Sequence, residues 1–341
     1  MYIGYIYESN DFALYVCISL FYLSDNPYFR SSIKLKMKNK AWLPIGAAIL
    51  SMIFWSFSFV WIKIVYEAYG PLTTILFRLL ISSGLMIIFT VLTRKLQKIR
   101  PGDLNFFLLL AFFEPLLYFM GESYGLLYVS STVASVIVAT IPLFSPIAAW
   151  YFYKEKLSRT NLYGLVITFL GVSLVVLDTS FNFTASPLGI SLEFLAVVGA
   201  IGYASVLKGI SHRYNTFTII TYQNLIGAVM FLPFWLGFEF REFTQIQFNP
   251  KAFGAIIKLA IFASTFAFIL FTYSIRNMGI NKSNIFINVI PVFVAVFAYL
   301  ILGDQLNFHQ MIGIAIVISG LCLAQINWKR KKNGSNPIYQ A

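Results

Sequence analysis

The chain has 341 residues, of which 59% are hydrophobic, 18% are aromatic and only 11% are charged. Soluble globular domains carry about 25% charged residues, so this composition excludes that class and indicates an integral membrane protein. The formal net charge of +12 does not indicate nucleic-acid binding, because the basic residues stand in short runs beside apolar segments, where membrane topology and anionic lipids account for them.

Residues 1–36 precede the first long apolar segment and differ from everything that follows. Their own apolar stretch, 12–23, is too short to span a bilayer, and acidic residues precede it where a signal peptide has basic ones. We therefore interpret 1–36 as a leader that extends the gene model, and we expect the functional product to start at Met37.

Ten apolar segments follow this leader, each about as long as the roughly 20 residues that a transmembrane helix needs. Lys and Arg concentrate in every second connection, so the positive-inside rule predicts that both termini, including the basic tail 328–341, lie in the cytoplasm. The predicted spans cover residues 43–65, 71–92, 104–127, 131–152, 160–178, 187–208, 217–238, 252–274, 282–302 and 308–327.

The second five spans repeat the first five. Pro142 matches Pro291, which lies 149 positions further on (291 − 142 = 149), and the residues around the two prolines match as well. Two repeats of five spans, 37–178 and 179–327, must have opposite orientations in the membrane, because five is an odd number. The sequence therefore predicts an all-α membrane fold of ten helices in two inverted five-helix repeats, an arrangement that places a binding site near the membrane midplane in many transporters.

Two acidic residues inside the third span, Glu114 and Glu122, are the most informative polar groups. An ionisable group in hydrocarbon costs about 2.5 kcal/mol or more, so each needs a partner or a watery cavity. Their spacing of eight residues puts them on one helical face, and the second repeat has an alanine and a phenylalanine at the matching positions. Our hypothesis is that this face lines a cavity, where a carboxylate attracts a cation or takes up a proton. The alternative is that Lys63 or Arg78 forms an ion pair with Glu122.

Asn284 and Asn288 lie four residues apart in the ninth span and predict a polar stripe, which lines the same cavity or forms interhelical hydrogen bonds. Other polar and aromatic residues are expected to contribute walls and hydrogen bonds to a substrate. These further cavity candidates are Tyr118, Ser123, Tyr124, Tyr203, Asn224 and Tyr273.

Three prolines inside the predicted spans, Pro115, Pro142 and Pro291, each remove a backbone N–H and predict a break in the helix. Such breaks are tolerated in membranes where they line water or are satisfied by neighbours, and a simple packing kink is the alternative. The sequence shows no glycine-rich phosphate loop, metal-ligand cluster or nucleophile–base arrangement. We therefore expect no cofactor, no metal site and no enzymatic activity.

Residues 55–63 (WSFSFVWIK), residues 125–134 (GLLYVSSTVA) and the glycines at 164 and 171 are similar to the EamA family of the drug/metabolite transporter superfamily. The resemblance covers about residues 40–327. It implies a ten-helix, two-repeat secondary transporter, usually an exporter or permease for amino acids, metabolites or drugs, in a bacterial inner membrane.

We therefore expect a secondary transporter of a small metabolite, amino acid or drug-like compound that works by alternating access, with proton coupling through Glu114 or Glu122 as a hypothesis. One alternative is a sugar-phosphate or nucleotide-sugar exchanger of the same superfamily, which would place Lys or Arg in the cavity. Another is an integral-membrane enzyme, which would need a His, Asp or Ser cluster at one interface. The expected partners are a small-molecule substrate, protons, the lipid bilayer and a second copy of the chain, but no nucleic acid.

Overall fold

The computed structural model describes residues 42–144, 159–177, 185–278, 283–305 and 307–325. These residues are almost entirely helical, as the sequence predicts. The leader 1–36 and the basic tail 328–341 lie outside the described residues, so the predictions about them stay predictions.

Within the described residues, ten helical segments longer than two turns lie at the positions of the ten predicted spans. Six of them, α1, α2, α3, α6, α7 and α8, are long and apolar enough to cross a membrane, and the other four are apolar but shorter. A multi-pass helical membrane fold is therefore shown, whereas ten complete crossings remain a prediction. The helices are α1 Trp42–Val65, α2 Pro71–Leu92, α3 Pro101–Tyr128, α4 Ser131–Phe144, α5 Arg159–Val176, α6 Pro187–Ile210, α7 Thr216–Phe238, α8 Pro250–Met278, α9 Phe286–Leu302 and α10 Phe308–Gln325.

The helices pack in pairs that follow a twofold relation between the two halves of the chain. Helix α1 packs on α8 and α3 packs on α6, while α2 packs on α7, α4 on α9 and α5 on α10. Exchanging the first five helices for the last five turns the α1–α8 pair into the α6–α3 pair and leaves the other three pairs as they are. This is the packing expected of two five-helix repeats around a twofold axis.

Glycines at matching positions of the two repeats allow α5 and α10 to pack closely. A Cβ added to Gly171 would lie 2.9 Å from the carbonyl oxygen of Gly313, and one added to Gly320 would lie 3.0 Å from the carbonyl oxygen of Gly164. Small residues let membrane helices approach until their backbones touch. The duplicated glycines therefore join the last helices of the two repeats.

Helices α3 and α8 both leave regular α-helical geometry at matching positions. A π-helical turn covers Phe112–Leu117 in α3 and Leu259–Phe266 in α8. In α3 the turn contains Pro115, and Glu114 before it has non-helical dihedral angles of φ −147° and ψ 113°. The turn in α8 contains no proline, so the proline pattern predicts only one of the two breaks.

Helices α4 and α9 also change geometry near their matching prolines. In α4, regular α-helix covers Ser131–Val138 and ends shortly before Pro142. A 3₁₀ segment, Ile285–Val289, forms the start of α9 together with the residue before it, and regular α-helix with Pro291 in its first turn follows.

Candidate functional site

A cavity of about 120 Å³ lies among the helices of both halves. Helices α1, α2, α3, α4, α6, α8 and α9 contribute to its walls, whereas α5, α7 and α10 do not. Most of the wall is aromatic or aliphatic, and Trp55, Phe268 and Phe271 lie on it. Its charged groups come from α2 and α3.

Helix α3 brings Glu114, Tyr118 and Glu122 to the cavity along one face. Glu122 is 3% exposed and accepts a hydrogen bond from the Tyr118 hydroxyl at 3.1 Å. Glu114 is 8% exposed, lies at the π-helical turn and makes no side-chain hydrogen bond or ion pair to the part of the chain that the structure describes. Its carboxyl group is therefore available to a molecule in the cavity.

Arg78 of α2 also lines this cavity, although it is only 2% exposed. Its Nε donates a hydrogen bond to Oγ of Ser264 at 2.9 Å, and its guanidinium carbon lies 4.1 Å from the ring centroid of Phe119. Its Nη1 is buried and has no hydrogen-bond partner among the described residues. Because leaving a buried donor unpaired costs about 1–3 kcal/mol, an anionic group in the cavity would bind there favourably.

Lys63 does not line the cavity. Its Nζ donates hydrogen bonds to the carbonyl oxygens of Leu126 and Val129, the latter at 2.7 Å, and so lies at the C-terminal end of α3. A cation is favourable there because the last carbonyls of a helix have no partner within the helix. Within the described residues, neither Lys63 nor Arg78 forms an ion pair with Glu122, so the structure does not contain the alternative pair that the sequence suggests.

Of the remaining cavity candidates, Tyr203 of α6 and Asn284 before α9 lie on the wall, and the others do not. Tyr124 packs against the apolar cluster around Trp235, and Tyr273 is 42% exposed. Ser123 is buried outside the cavity.

Asn288 is buried but does not share the cavity wall with Asn284. The reason is the 3₁₀ segment between them. Residues four apart are separated by about 40° around an α-helix, but by about 120° around a 3₁₀-helix, which has three residues per turn. The predicted polar stripe assumed regular α-helix, and in this structure only Asn284 of the two lies on the cavity wall.

Asn224 lies outside the cavity wall and donates a hydrogen bond to the backbone at the π-helical turn of α8. Its Nδ2 donates to the carbonyl oxygen of Ser264 at 3.2 Å and to Oγ of Ser82 at 2.8 Å. The indole N–H of Trp55 donates to the neighbouring carbonyl, that of Ala263, at 3.2 Å. Side chains from α1, α2 and α7 thus hold the turn that has no proline.

Sequence reasoning missed Glu193 of α6, which is completely buried and does not line the central cavity. The signal was present, since Glu193 is an acidic residue well inside a predicted span, like Glu114 and Glu122. Sequence reasoning also did not select Trp55 or Phe268, because the chain has 6 Trp and 35 Phe.

The cavity extends towards one end of the helix bundle. Leu207, Ile275 and Asn284 line it near the last turns of α6 and α8 and just before α9. At the opposite end, the carboxylate of Glu239 accepts hydrogen bonds from the backbone N–H groups of Leu72 at 2.9 Å and of its neighbour at 2.7 Å. This contact fixes the end of α7 to the start of α2.

A model of the EamA-like transporter family matches residues 42–177 and again 187–325. An "Uncharacterized transporter" of Archaeoglobus fulgidus is 28% identical over 281 residues, which cover 80% of this chain and 94% of the relative. The "Uncharacterized transporter YdfC" of Bacillus subtilis is 27% identical over 289 residues, which cover 84% of this chain and 90% of the relative.

Among solved structures, one described as "Crystal structure of protein" is similar with a TM-score of 0.62 at 15% identity. The similarity covers 83% of this chain and 98% of that one, and at this identity it shows the fold alone. Because the family model covers both halves, the chain belongs to the EamA-like transporter family and is a membrane transporter rather than an enzyme.

Proposed function

We propose that this protein is a secondary transporter, an exporter or permease, that binds a small metabolite in the central cavity and moves it by alternating access. The observation that carries the proposal is the presence of two opposite charges on one cavity wall. Within the described part of the chain, Nη1 of Arg78 is buried without a hydrogen-bond partner, and the carboxyl group of Glu114 has no hydrogen-bond or ion-pair partner. These two groups can therefore bind a charged substrate in the central cavity.

The substrate that fits these groups has an anionic and a cationic end, as an amino acid does. Arg78 would bind the anionic end and Glu114 the cationic end, while Trp55, Phe268 and Phe271 supply an apolar wall. One buried water molecule needs about 10–15 Å³ of cavity volume. The cavity of about 120 Å³ therefore holds on the order of ten non-hydrogen atoms, which is the size of a small amino acid.

A sugar-phosphate or nucleotide-sugar exchanger is the second candidate, and Arg78 is the observation that favours it. Such an exchanger would place Lys or Arg in the cavity, and Arg78 lines the cavity together with Glu114 and Glu122. The two carboxyl groups would nevertheless repel a phosphate, and a nucleotide sugar is several times larger than the cavity. A zwitterion fits both the charges and the volume better.

The position of the cavity supports an inward-facing state. The central cavity approaches the end of the helix bundle that carries the basic connections, and the positive-inside rule assigns those connections to the cytoplasm. We propose a bacterial inner membrane with both termini in the cytoplasm, ten crossings in two inverted repeats, 37–178 and 179–327, and alternating access between the halves. A homodimer and coupling to protons through Glu114 or Glu122 belong to this proposal.

The test is flux of labelled zwitterions, cations and anions in proteoliposomes that contain the full chain. We expect zwitterions to be moved preferentially. Arg78→Gln and Glu114→Gln should each raise the KM about tenfold or more, because a hydrogen bond to a charged group contributes about 1.5–3 kcal/mol. Arg241→Gln and Glu242→Gln, at exposed positions, are the matched controls. No flux above that of empty liposomes, or equal flux of singly charged compounds, would contradict the proposal.

A further inference from the structure

Glu193 is an acidic residue that the central cavity does not use. It lies in α6, is 0% exposed, and neither of its carboxyl oxygens has a hydrogen-bond partner among the described residues. It packs directly on the backbone of α3, since a Cβ added to Gly125 would lie 2.6 Å from its Oε1. The carboxyl group is thus enclosed between the two helices that pair across the repeats.

Four titratable groups face Glu193 from the helices around it. Lys63 of α1, Tyr66 directly after α1, and Tyr118 and Glu122 of α3 interact with it electrostatically. Helix α4, which also packs on α6, has no titratable residue in its described part. Lys63 is therefore the only cation near the carboxyl group within the described residues, and the two do not form an ion pair.

The ammonium group of Lys63 instead donates hydrogen bonds to the carbonyl oxygens of Leu126 and Val129. Glu193 consequently has another acid, Glu122, on one side and a cation bound to α3 on the other. A carboxylate in a dry interior without a partner is far less favourable than the neutral acid, so such a group takes up a proton.

We propose that Glu193 is a proton-binding site, which holds a proton while α3 and α6 are packed together and releases it when the end of α3 separates from α6. On separation, the O–H bond of the acid breaks, the proton leaves to water, and the ammonium group of Lys63 moves from the two carbonyls to the new carboxylate. Charge balances, because a protonated lysine and a neutral acid become an ion pair and a free proton. This inference rests on the proposed transport function, and it places the coupling proton on Glu193 in α6 instead of on Glu114 or Glu122 in α3.

The groups that interact electrostatically with Glu193 lead to two different cavities. Glu122, which interacts electrostatically with Glu193, lines the central cavity. A second cavity, of about 320 Å³ and largely polar, lies at the opposite end of the bundle and is lined by Val129 and Asp304. Lys63 is bonded to Val129 and interacts electrostatically with Asp304. A proton released from Glu193 therefore has a polar exit on the side away from the central cavity.

Infrared spectroscopy of the purified full chain in liposomes tests the proton directly, because a neutral carboxyl group has a C=O band that a carboxylate lacks. The background variant is Glu114→Gln with Glu122→Gln, which removes the cavity acids. We expect this variant to keep a neutral-carboxyl band near neutral pH and to lose it when Glu193→Gln is added. An identical band after that addition would overturn the proposal.

Gly121→Ala gives a second arm that keeps the carboxyl group of Glu193. Its new methyl group would lie 2.5 Å from the carbonyl oxygen of Leu192 and 2.6 Å from the backbone nitrogen of Ala196, so it forces α3 and α6 apart and the band should weaken near neutral pH as water enters. Gly46→Ala, with nothing within 4 Å of its added Cβ, should leave the band unchanged. A full-strength band in Gly121→Ala would show that α3–α6 packing does not hold the proton.

Flux measurements separate this inference from the function on which it rests. In Glu193→Gln, flux of labelled amino acids should lose its dependence on an imposed pH gradient, whereas flux in the original chain should increase with the gradient. If the original chain moves no compound, the transport proposal fails while the infrared result still decides whether Glu193 holds a proton. If gradient dependence survives in Glu193→Gln, the coupling role is wrong.

Discussion

Arg78 of α2 donates a hydrogen bond from Nε to Oγ of Ser264 in α8 at 2.9 Å. The bond joins the two repeats, and it attaches the cavity cation to the π-helical turn of α8. The side chain that would bind an anion is thus positioned by a helix of the other half. A movement of one half relative to the other would change where this guanidinium lies.

Ser264→Ala should weaken substrate binding without removing the charge. The guanidinium loses one positioning hydrogen bond, and bonds to charged groups contribute about 1.5–3 kcal/mol, so we expect the KM for an anion-bearing substrate to increase about tenfold. Ser83→Ala is the control, because the Ser83 hydroxyl donates only to a carbonyl of its own helix. Equal KM values for the two variants would show that Ser264 does not position Arg78.

Lys63→Met should destabilise the fold, because it removes both hydrogen bonds at the end of α3. The expected loss is about 1–3 kcal/mol in the free energy of unfolding, measured in detergent, and Lys63→Arg should recover part of it. The comparison is Lys251→Met, whose ion pair with Glu67 at 2.9 Å is largely exposed and should contribute less than about 1 kcal/mol. A larger loss at Lys251 than at Lys63 would contradict this assignment.

Gly171→Ala should separate α5 from α10. The added methyl group would lie 2.7 Å from the backbone nitrogen of Val317 and 2.9 Å from the carbonyl oxygen of Gly313, and backbone atoms cannot rotate away. Gly84→Ala has nothing within 4 Å of the added Cβ and should be neutral or stabilising by up to about 1 kcal/mol, since Ala is the better helix former. Thermal unfolding of the two variants measures the difference, and equal Tm values would argue against close backbone packing.

Asn284 and Asn288 form a matched pair, because only the first lies on the cavity wall. Asn284→Ala should alter the KM for transport, whereas Asn288→Ala should mainly lower the Tm, since its buried amide packs inside the protein. Flux and thermal unfolding measured on both variants check this. A larger change of KM for Asn288→Ala would indicate that the stripe is continuous during transport.

The helices were predictable because a helix that crosses the hydrocarbon core of a membrane needs about 20 mostly apolar residues. The placement of Glu114 and Glu122 on one wall was predictable for the same kind of reason, since helical spacing fixes which side chains share a face. The spacing argument held in α3 despite its π-helical turn. It does not apply at the start of α9, where the 3₁₀ segment Ile285–Val289 places Asn284 and Asn288 about 120° apart around the helix axis.

Other parts of the site depend on contacts between distant segments, which one sequence does not display. The bonds from Lys63 to the end of α3, and from Trp55 to Ala263, join residues of different helices and have no local pattern. Glu193 is different, because the rule for ionisable residues in membranes applies to it directly. The sequence alone identifies Glu193 as a candidate, but only the structure shows that it lies between α3 and α6.

The kink of α3 and the π-helical turn of α8 lie at matching positions, but different groups maintain them. In α3 the kink contains Pro115, and the matching residue of α8 is Ser264 (115 + 149 = 264). The carbonyl oxygen of Ser264 accepts a hydrogen bond from Nδ2 of Asn224 in α7 at 3.2 Å. The two repeats therefore reach the same bend by different means, one with a residue of its own backbone and the other with side chains of neighbouring helices.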